Sequence, residues 1–154
     1  MQLILWRHAE AEDANGKDDM ERVLTKKGHQ QAQRMAKWLK PRLDKDWRIL
    51  VSPSKRTLET VAPLDREFAV DDALAPGKSA RDVLRAVNWP GNGHDIVVVG
   101  HQPTLGEVAS MIFLGEEGDC SIRKGAIWWF EARATGGRMN AVLRSVLSPD
   151  LLDD

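Results

Sequence analysis

The sequence predicts an α/β fold, a three-layer sandwich whose mostly parallel central sheet is covered by helices on both faces. Short apolar runs alternate with helical patterns along the chain, which is typical of a sheet flanked by helices. The clearest strand signal, Ile96 to Val99, is four β-branched residues in a row, and such a run indicates a parallel strand buried on both faces. The length of 154 residues fits a single domain over residues 1–154.

The first half of the chain predicts two strands and two helices. Ala32, Met35 and Leu39 repeat at helical spacing and therefore share one buried face. The predicted elements, in order, are a buried strand at Leu3 to Trp6, a polar mobile loop at Ala9 to Arg22, a helix that opens at Thr25 and is either closed or kinked in its last turn by Pro41, a strand at Trp47 to Val51, and a helix at Lys55 to Ala62.

The second half adds further strands and helices and ends in a hairpin. Ser79 begins a Ser-Ala-Arg-Asp sequence, which is the pattern of a helix capping box. The predicted elements, in order, are a short strand at Phe68 to Val70, a helix after Ser79, the strand at Ile96 to Val99, a helix from Pro103 or Thr104, and hairpin strands at Ala126 to Ala132 and Ala141 to Val146 joined across Gly136 and Gly137.

The composition excludes several classes of protein. Lys and Arg total 22 against 23 Asp and Glu, so the net charge of −1 excludes nucleic-acid binding through bulk positive charge. The apolar run at Leu3 to Trp6 ends at Arg7 and does not fit a signal peptide, and no apolar stretch reaches the ~20 residues of a membrane helix. The single cysteine, Cys120, is interpreted as an unreactive thiol. These features predict a cytoplasmic protein with neither a nucleic-acid nor a membrane partner.

Residues able to carry chemistry follow three of the predicted strands. Arg7 and His8 follow the first strand, Ser52 to Arg56 follows the second, and Gly100 to Pro103 follows the Ile96 to Val99 strand. Ligands of open α/β sheets bind beyond the carboxyl ends of the strands. If these strands are parallel neighbours, the three loops meet at one edge of the sheet and bring two histidines and two arginines into a single pocket.

These residue types suit a phosphoryl group. The guanidinium groups of Arg7 and Arg56 match phosphate oxygens with paired hydrogen bonds. A neutral imidazole is a competent nucleophile at phosphorus, and the nearby arginines disfavour protonation of His8. His101 can donate a hydrogen bond to the same oxygens. A metal is the other use for two histidines, but no third ligand stands at suitable spacing in these loops and the arginines would repel a cation, so neither a metal nor a cofactor is expected.

The same motifs resemble those of the histidine phosphatase superfamily, also called the phosphoglycerate mutase-like fold. The small size and the motif set resemble its SixA-type phosphohistidine phosphatase branch, and the resemblance covers nearly the whole chain. The matching segments are Arg7-His8-Ala9 for an Arg-His-Gly signature, Ser52-Pro53-x-x-Arg56, Gly100-His101, and Arg22-x-Leu24-Thr25-x-x-Gly28 at the opening of the first helix.

The resemblance implies a role for each matched residue. His8 would be the catalytic nucleophile that accepts the phosphoryl group. Arg7, Arg56 and His101 would be the catalytic residues that hold this group. Arg22 would add a substrate-binding contact from the mobile loop, or would pair with an acidic neighbour. Residues 1–154 would then form one histidine phosphatase domain.

Two features depart from the family pattern. Ala9 replaces the commoner glycine, and its Cβ restricts the backbone. Larger relatives use as general acid a carboxylate from an insertion that this chain lacks, and the candidates here are Glu10, Glu12, Asp71 and Asp72. Because an imidazole leaves more readily than an alkoxide, the missing acid favours phosphohistidine over sugar phosphates as the substrate.

The sequence therefore predicts a phosphatase that forms a phosphohistidine intermediate and acts on phosphorylated protein histidines. The alternative substrate is a small phosphorylated metabolite, for a phosphatase rather than a mutase, since the chain lacks room for a lid and an extra substrate domain. A non-catalytic phosphate-binding module is disfavoured because binding alone does not require His8.

Overall fold

One six-stranded sheet forms the centre of the computed structural model, which describes residues 1–91 and 93–154. Its strands are β1 (Gln2–Arg7), β2 (Arg48–Val51), β3 (Ala69–Val70), β4 (Ile96–Gly100), β5 (Ile127–Thr135) and β6 (Arg138–Leu147). They lie in the order β3-β2-β4-β1-β5-β6. The neighbours from β3 to β1 are parallel, whereas β5 and β6 are antiparallel additions. The predicted mostly parallel sheet is confirmed.

Four α-helices cover the two faces of the sheet in the described part of the chain. They are α1 (Lys26–Leu39), α2 (Lys55–Val61), α3 (Ala80–Val87) and α4 (Thr104–Leu114). Alternate side chains of β1 point to opposite faces. Ile4 and Trp6 pack with α1 and α2. Leu3 and Leu5 pack with α3 and α4, which confirms the three-layer α/β prediction.

The helices begin and end where local sequence predicts. Thr25 Oγ1 accepts a hydrogen bond from Gly28 N at the start of α1. Ser79 accepts one from Asp82 N, and the Asp82 carboxylate accepts one from Ser79 N, so the predicted capping box is confirmed. After α1 the chain passes into a short 3₁₀ turn at Lys40–Arg42, whose central residue is the proline expected to close the helix. Among residues 1–91 and 93–154, no helix is both long and apolar enough to cross a membrane.

The terminal hairpin and the loop after β1 carry more structure than predicted. The strands of the hairpin pair right up to Gly136–Gly137, where both glycines have the positive φ that a tight hairpin turn requires. The loop that was expected to be mobile contains a β-bridge between Ala11 and Leu24 and a 3₁₀ turn at Asp19–Glu21. This turn packs against α2, at the edge of the sheet described below.

Helix α1 passes directly over the segment that follows β1. Thr25 N donates to Glu10 O at 3.0 Å, and Glu10 N donates to Gln31 Oε1 at 2.9 Å. A Cβ built on Gly28 would lie 2.0 Å from Glu10 O, so only glycine fits at this approach. The contact anchors the chain two residues beyond His8.

Gly28→Ala should lower the free energy of unfolding by about 3 kcal/mol, because the helix or the Glu10 backbone must move to admit the methyl group. Urea unfolding measures the change. Gly91→Ala is the matched control, since its added Cβ meets no heavy atom within 4 Å and its φ is not positive. The control should change stability by less than about 0.5 kcal/mol. Equal stabilities of the two variants would contradict the prediction.

Candidate active site

The carboxyl ends of β1, β2 and β4 bring the three predicted loops together. Strand β4 lies between β1 and β2, with Arg7 opposite Gly100 in the register. The pairing continues past the strand ends, because His8 N donates to Gly100 O and Ser52 N donates to Val99 O, each at 3.0 Å. The loops that carry both histidines and Arg56 therefore start side by side at one edge of the sheet.

His8 is buried at this edge, and its backbone contacts fix its tautomer. Its Nδ1 lies 2.7 Å from Ala9 O. Because a carbonyl oxygen only accepts hydrogen bonds, the proton of the neutral ring lies on Nδ1, and Nε2 keeps its lone pair. The His8 ring centroid lies 5.3 Å from that of His101. His8 thus offers an unprotonated Nε2 for chemistry.

The surroundings of His8 keep it neutral. Burial is the main cause that lowers its pKa to about 4. The hydrogen bond to the Ala9 carbonyl raises the pKa and opposes this shift in part. The positive charges of Arg56, Arg7 and Arg22 lower it further. At neutral pH the imidazole is therefore in the form that a nucleophile needs.

His101 is the second buried imidazole of the site. Its Nε2 lies 2.7 Å from Ser52 Oγ, and its Nδ1 has no hydrogen-bond partner among the described residues. When the Ser52 hydroxyl donates to Nε2, the ring proton lies on Nδ1, which is then a free donor. Burial, followed by the charges of Arg56 and His8, lowers the pKa of His101 to about 3. This ring is also neutral at pH 7.

The two histidines should make the protein less stable in mild acid. In the unfolded chain both rings take up protons near pH 6.5, whereas the folded pKa values are about 4 for His8 and about 3 for His101. The unfolded state therefore binds more protons between these values, and the free energy of unfolding should fall by a few kcal/mol from about pH 7 to about pH 4.5.

Urea unfolding across this pH range measures the effect. His8→Asn should flatten the pH dependence. A free energy of unfolding that does not fall toward acid pH would contradict the buried neutral histidines.

Two arginine side chains come to this edge from different loops. Arg56, in the first turn of α2, is only 3% exposed. Arg7, at the end of β1, is half-buried, and its Nη1 donates to Ile122 O at 2.8 Å. The Nε atoms of both arginines are buried and have no hydrogen-bond partner among the described residues. Since buried donors are normally satisfied, both groups are suited to bind an anion.

Asp19 also lies at the site, although its sequence context does not predict it. Arg56 Nη1 donates to Asp19 O at 2.8 Å, and Arg56 Nη2 donates to Asp19 Oδ2 at 2.9 Å. Arg22 Nη1 donates to Asp19 Oδ1 at 3.2 Å, and Arg22 Nε donates to Glu12 O. Arg22 therefore pairs with an acidic neighbour, one of the two roles expected for it. The only signal for this ion pair in the sequence is that Asp19 and Arg22 are three residues apart.

The four carboxylates considered as general acids either form hydrogen bonds away from the histidines or are exposed to solvent. Glu10 Oε2 accepts a hydrogen bond from Thr25 Oγ1 at 2.9 Å. Asp71 caps a 3₁₀ turn that begins at Asp72. Glu12 and Asp72 are exposed. Within the described part of the chain, Asp19 is the carboxylate that contacts Arg56.

Buried polar side chains hold these loops in place. Thr60 Oγ1, on α2, accepts from Ala9 N at 3.0 Å and donates to Arg56 O at 2.7 Å. It therefore links the loop after β1 to the helix that carries the buried arginine. Gln102 Nε2 donates to Cys120 O at 2.8 Å and secures the segment whose carbonyl binds the arginine of β1.

Alanine fits at position 9, where the family signature has glycine. The described non-glycine residues with positive φ are Asn15, Asp65 and Asn88. The backbone at Ala9 therefore does not require glycine. The buried Ala9 side chain packs with Leu24 and Ala32, beneath the start of α1.

Together, the imidazole and guanidinium groups of this site are suited to bind an anion that has an electrophilic centre. A neutral imidazole nitrogen can attack that centre, and the guanidinium groups with a second imidazole can bind its oxygens. Among residues 1–91 and 93–154, no three His, Cys, Asp or Glu side chains are grouped so that they could share a metal ion.

Comparison with known proteins identifies the family. The family model of the histidine phosphatase superfamily (branch 1) matches residues 3–77, which carry Arg7, His8 and Arg56. A solved protein histidine phosphatase, SixA with bound tungstate, has a TM-score of 0.81 and 26% identity over 98% of this chain and 99% of that chain. The chain belongs to the histidine phosphatase superfamily. Membership implies phosphatase activity.

Two further solved structures share the fold of this histidine phosphatase. The protein assigned as SixA in Agrobacterium tumefaciens has a TM-score of 0.77 and 20% identity over 96% of this chain and 97% of that chain. A phosphoserine phosphatase from Entamoeba histolytica, in complex with phosphoserine, has a TM-score of 0.69 and 22% identity, with coverage of 96% and 97%. At these identities the likeness shows the fold alone. No curated protein matches the chain by sequence.

Proposed function

We propose that this histidine phosphatase transfers a phosphoryl group from protein phosphohistidine to its own His8 and then hydrolyses the phosphoenzyme. One observation carries the proposal. The neutral Nε2 of His8 lies in a buried site together with the guanidinium groups of Arg7 and Arg56, whose Nε donors are free among the described residues. Binding alone would require the cations but not the unprotonated nucleophile.

In the first step, the lone pair of His8 Nε2 attacks phosphorus. A bond forms between Nε2 and phosphorus, and the bond from phosphorus to the leaving atom of the substrate breaks. The leaving atom keeps the electron pair and takes up a proton. Arg7 and Arg56 bind the oxygens of the transferring group, and His101 Nδ1 donates to another oxygen. These charged and neutral donors stabilise the negative charge spread over those oxygens.

In the second step, a water oxygen attacks phosphorus, and the bond between phosphorus and His8 Nε2 breaks. The attacking water loses one proton, which balances the proton that the leaving atom took up in the first step. The freed imidazole recovers its lone pair, and inorganic phosphate is released. The low pKa of His8 favours this step, because the ring departs from phosphorus in its neutral form. The same arginines bind the phosphoryl oxygens throughout, so one site serves both steps.

The leaving group supports phosphohistidine as the substrate. The pKa of Asp19 is lowered in the resting site, so this carboxylate is ionised at pH 7 before a substrate binds. An imidazole departs with less proton assistance than an alkoxide does. The 26% identity with the protein histidine phosphatase SixA over nearly the full length of both chains supports the same substrate class.

A basic rim beside the site supports a protein substrate. A groove of about 430 Å³ is lined by Arg7, Lys27, Arg123 and Lys124, with Asp150 as the acidic residue of its lining. Because Arg7 belongs to both the groove and the phosphoryl site, a bound phosphoprotein can place acidic side chains along the rim. The charges of this rim complement such a surface, although the whole chain has a net charge of only −1.

A small phosphorylated metabolite is the second candidate substrate. The observation in its favour is the fold shared with the phosphoserine phosphatase from Entamoeba histolytica, which was solved with phosphoserine bound. The chemistry of the two steps is the same for a phosphate ester, except that the leaving oxygen needs a proton more than imidazole does. The two candidates therefore differ in their leaving groups and in their use of the basic rim.

A panel of substrates separates the two candidates. Values of kcat/KM are measured for a phosphohistidine peptide, phosphoserine and glycerol phosphate. We expect the peptide to be turned over at least about tenfold more efficiently than either ester, because imidazole is the better leaving group. Faster or equal turnover of an ester would reject phosphohistidine as the substrate and favour the metabolite.

A further inference from the structure

Asp19 occupies two of the hydrogen-bonding groups with which Arg56 can bind a phosphoryl group. Both terminal nitrogens of Arg56 donate to Asp19, one to its backbone oxygen and one to its carboxylate. The Arg56 side chain is 4% exposed, whereas the Asp19 side chain is 51% exposed. A phosphoryl group that binds both terminal nitrogens of Arg56 therefore competes with Asp19, the more exposed partner. Asp19 remains nearby after displacement, because its 3₁₀ turn packs on α2.

Displacement changes the charges around the Asp19 carboxylate. In the resting site, partial burial alone would raise its pKa, but hydrogen bonds and charges from Arg56 and Arg22 lower it overall. When a phosphoryl group takes Arg56, the carboxylate loses its main cationic partner and gains an anionic neighbour. Both changes favour the protonated form of the carboxyl group. A proton taken up from solvent on substrate binding would then make Asp19 a proton donor next to Arg56.

We propose that Asp19 is the general acid and base of the phosphatase reaction, an inference that rests on the proposed function. As His8 Nε2 attacks phosphorus, the Asp19 carboxyl group gives its proton to the leaving atom, which departs with the electron pair of the broken bond. In the second step the carboxylate takes a proton from the attacking water, and the bond from His8 to phosphorus breaks. When phosphate leaves and Asp19 pairs with Arg56 again, the carboxyl group returns its proton to solvent. The cycle thus consumes one water and restores both side chains.

The other acidic residues of the same turn have different partners. Asp18 is the N-cap of the turn and accepts a hydrogen bond from Met20 N at 2.9 Å. Glu21 forms an exposed ion pair with Lys55 at 2.8 Å. Neither contacts Arg56 in the described structure, so within this turn the proposed role falls to Asp19.

The test compares Asp19→Asn with the wild type on substrates that differ in leaving-group basicity. Glycerol phosphate has a strongly basic leaving oxygen, whereas p-nitrophenyl phosphate has a weakly basic one. We expect kcat/KM for glycerol phosphate to fall about 100-fold in Asp19→Asn, and that for p-nitrophenyl phosphate to change by less than about threefold. The ratio of the two kcat/KM values removes any uniform effect on phosphate binding, such as relief of the competition for Arg56.

Asp18→Asn is the matched control, because asparagine keeps the helix-cap acceptor and the change lies on the same turn. It should leave the ratio at the wild-type value. A ratio that Asp19→Asn leaves unchanged would overturn the proposal and reduce Asp19 to a competitor for Arg56. Acid-labile phosphate on wild-type protein tests the proposed function separately, because its absence would reject the covalent mechanism whatever the ratio shows.

Discussion

Replacing His8 by alanine should slow phosphate release from every substrate and lower kcat/KM on the order of 10⁴-fold or more, since the variant lacks the nucleophile. The unprotonated Nε2 is the one group in the proposed mechanism that forms a covalent bond to phosphorus. Incubation with a labelled phosphodonor followed by acid treatment measures the intermediate, because phosphate on imidazole nitrogen is acid-labile. Wild-type protein should take up the label, and His8→Ala should take up none.

The exposed His29 offers a matched control for this experiment. It pairs with Glu59 at 3.7 Å on the surface and lies outside the buried site. His29→Ala should take up label and release phosphate as the wild type does. Label that persists in His8→Ala, or an absence of label in the wild type, would be incompatible with transfer to His8.

Replacing Arg56 should have the second largest effect. Arg56→Lys retains the charge but loses the planar fork that binds two oxygens at once. We expect kcat/KM to fall by about 10²- to 10³-fold, the range for loss of a preorganised donor to a developing anion. Steady-state kinetics with a phosphohistidine peptide and with p-nitrophenyl phosphate should give similar losses, because both substrates present the same phosphoryl group.

Lys55, the preceding residue, provides the control for Arg56. Its side chain is exposed and pairs with Glu21, so Lys55→Ala should keep nearly wild-type kinetics. Thermal unfolding of both variants checks that the helix remains folded. If Arg56→Lys is folded and keeps the wild-type kcat/KM, Arg56 does not bind the phosphoryl group in the way proposed.

The residues that follow the strands could be grouped from the sequence, because strand order and the position of loops in an α/β sheet follow general rules. Arg7, His8 and His101 each follow a continuous apolar run, and Arg56 follows the loop after another. Such runs become neighbouring parallel strands whose carboxyl ends meet at one edge. The order of β2, β4 and β1 in the sheet satisfies this condition. The grouping of Arg7 and His8 with the distant residues Arg56 and His101 could therefore be predicted from the sequence alone.

Other parts of the site depend on tertiary contacts that have no local signature. Asp19 lies in a polar stretch with several carboxylates, and only the packing of its turn on α2 selects it as the partner of Arg56. In the sequence Ser52 is interpreted as part of a turn, whereas in the fold its hydroxyl is hydrogen-bonded to His101. The requirement for glycine at position 28 appears only when α1 is seen to cross Glu10.

The hydrogen bonds that orient Arg7 and His8 affect how the site responds to pH and to substitutions at neighbouring positions. Arg7 is held by the backbone oxygen of Ile122, and His8 by that of Ala9. A peptide carbonyl does not titrate over the physiological range, and every amino acid supplies one. The direction of the nucleophile is therefore insensitive to pH and to the side-chain chemistry at positions 9 and 122. A substitution at position 9 or 122 therefore affects the site only through how well the new side chain packs. Any residue that packs there can leave the directions of Arg7 and His8 unchanged.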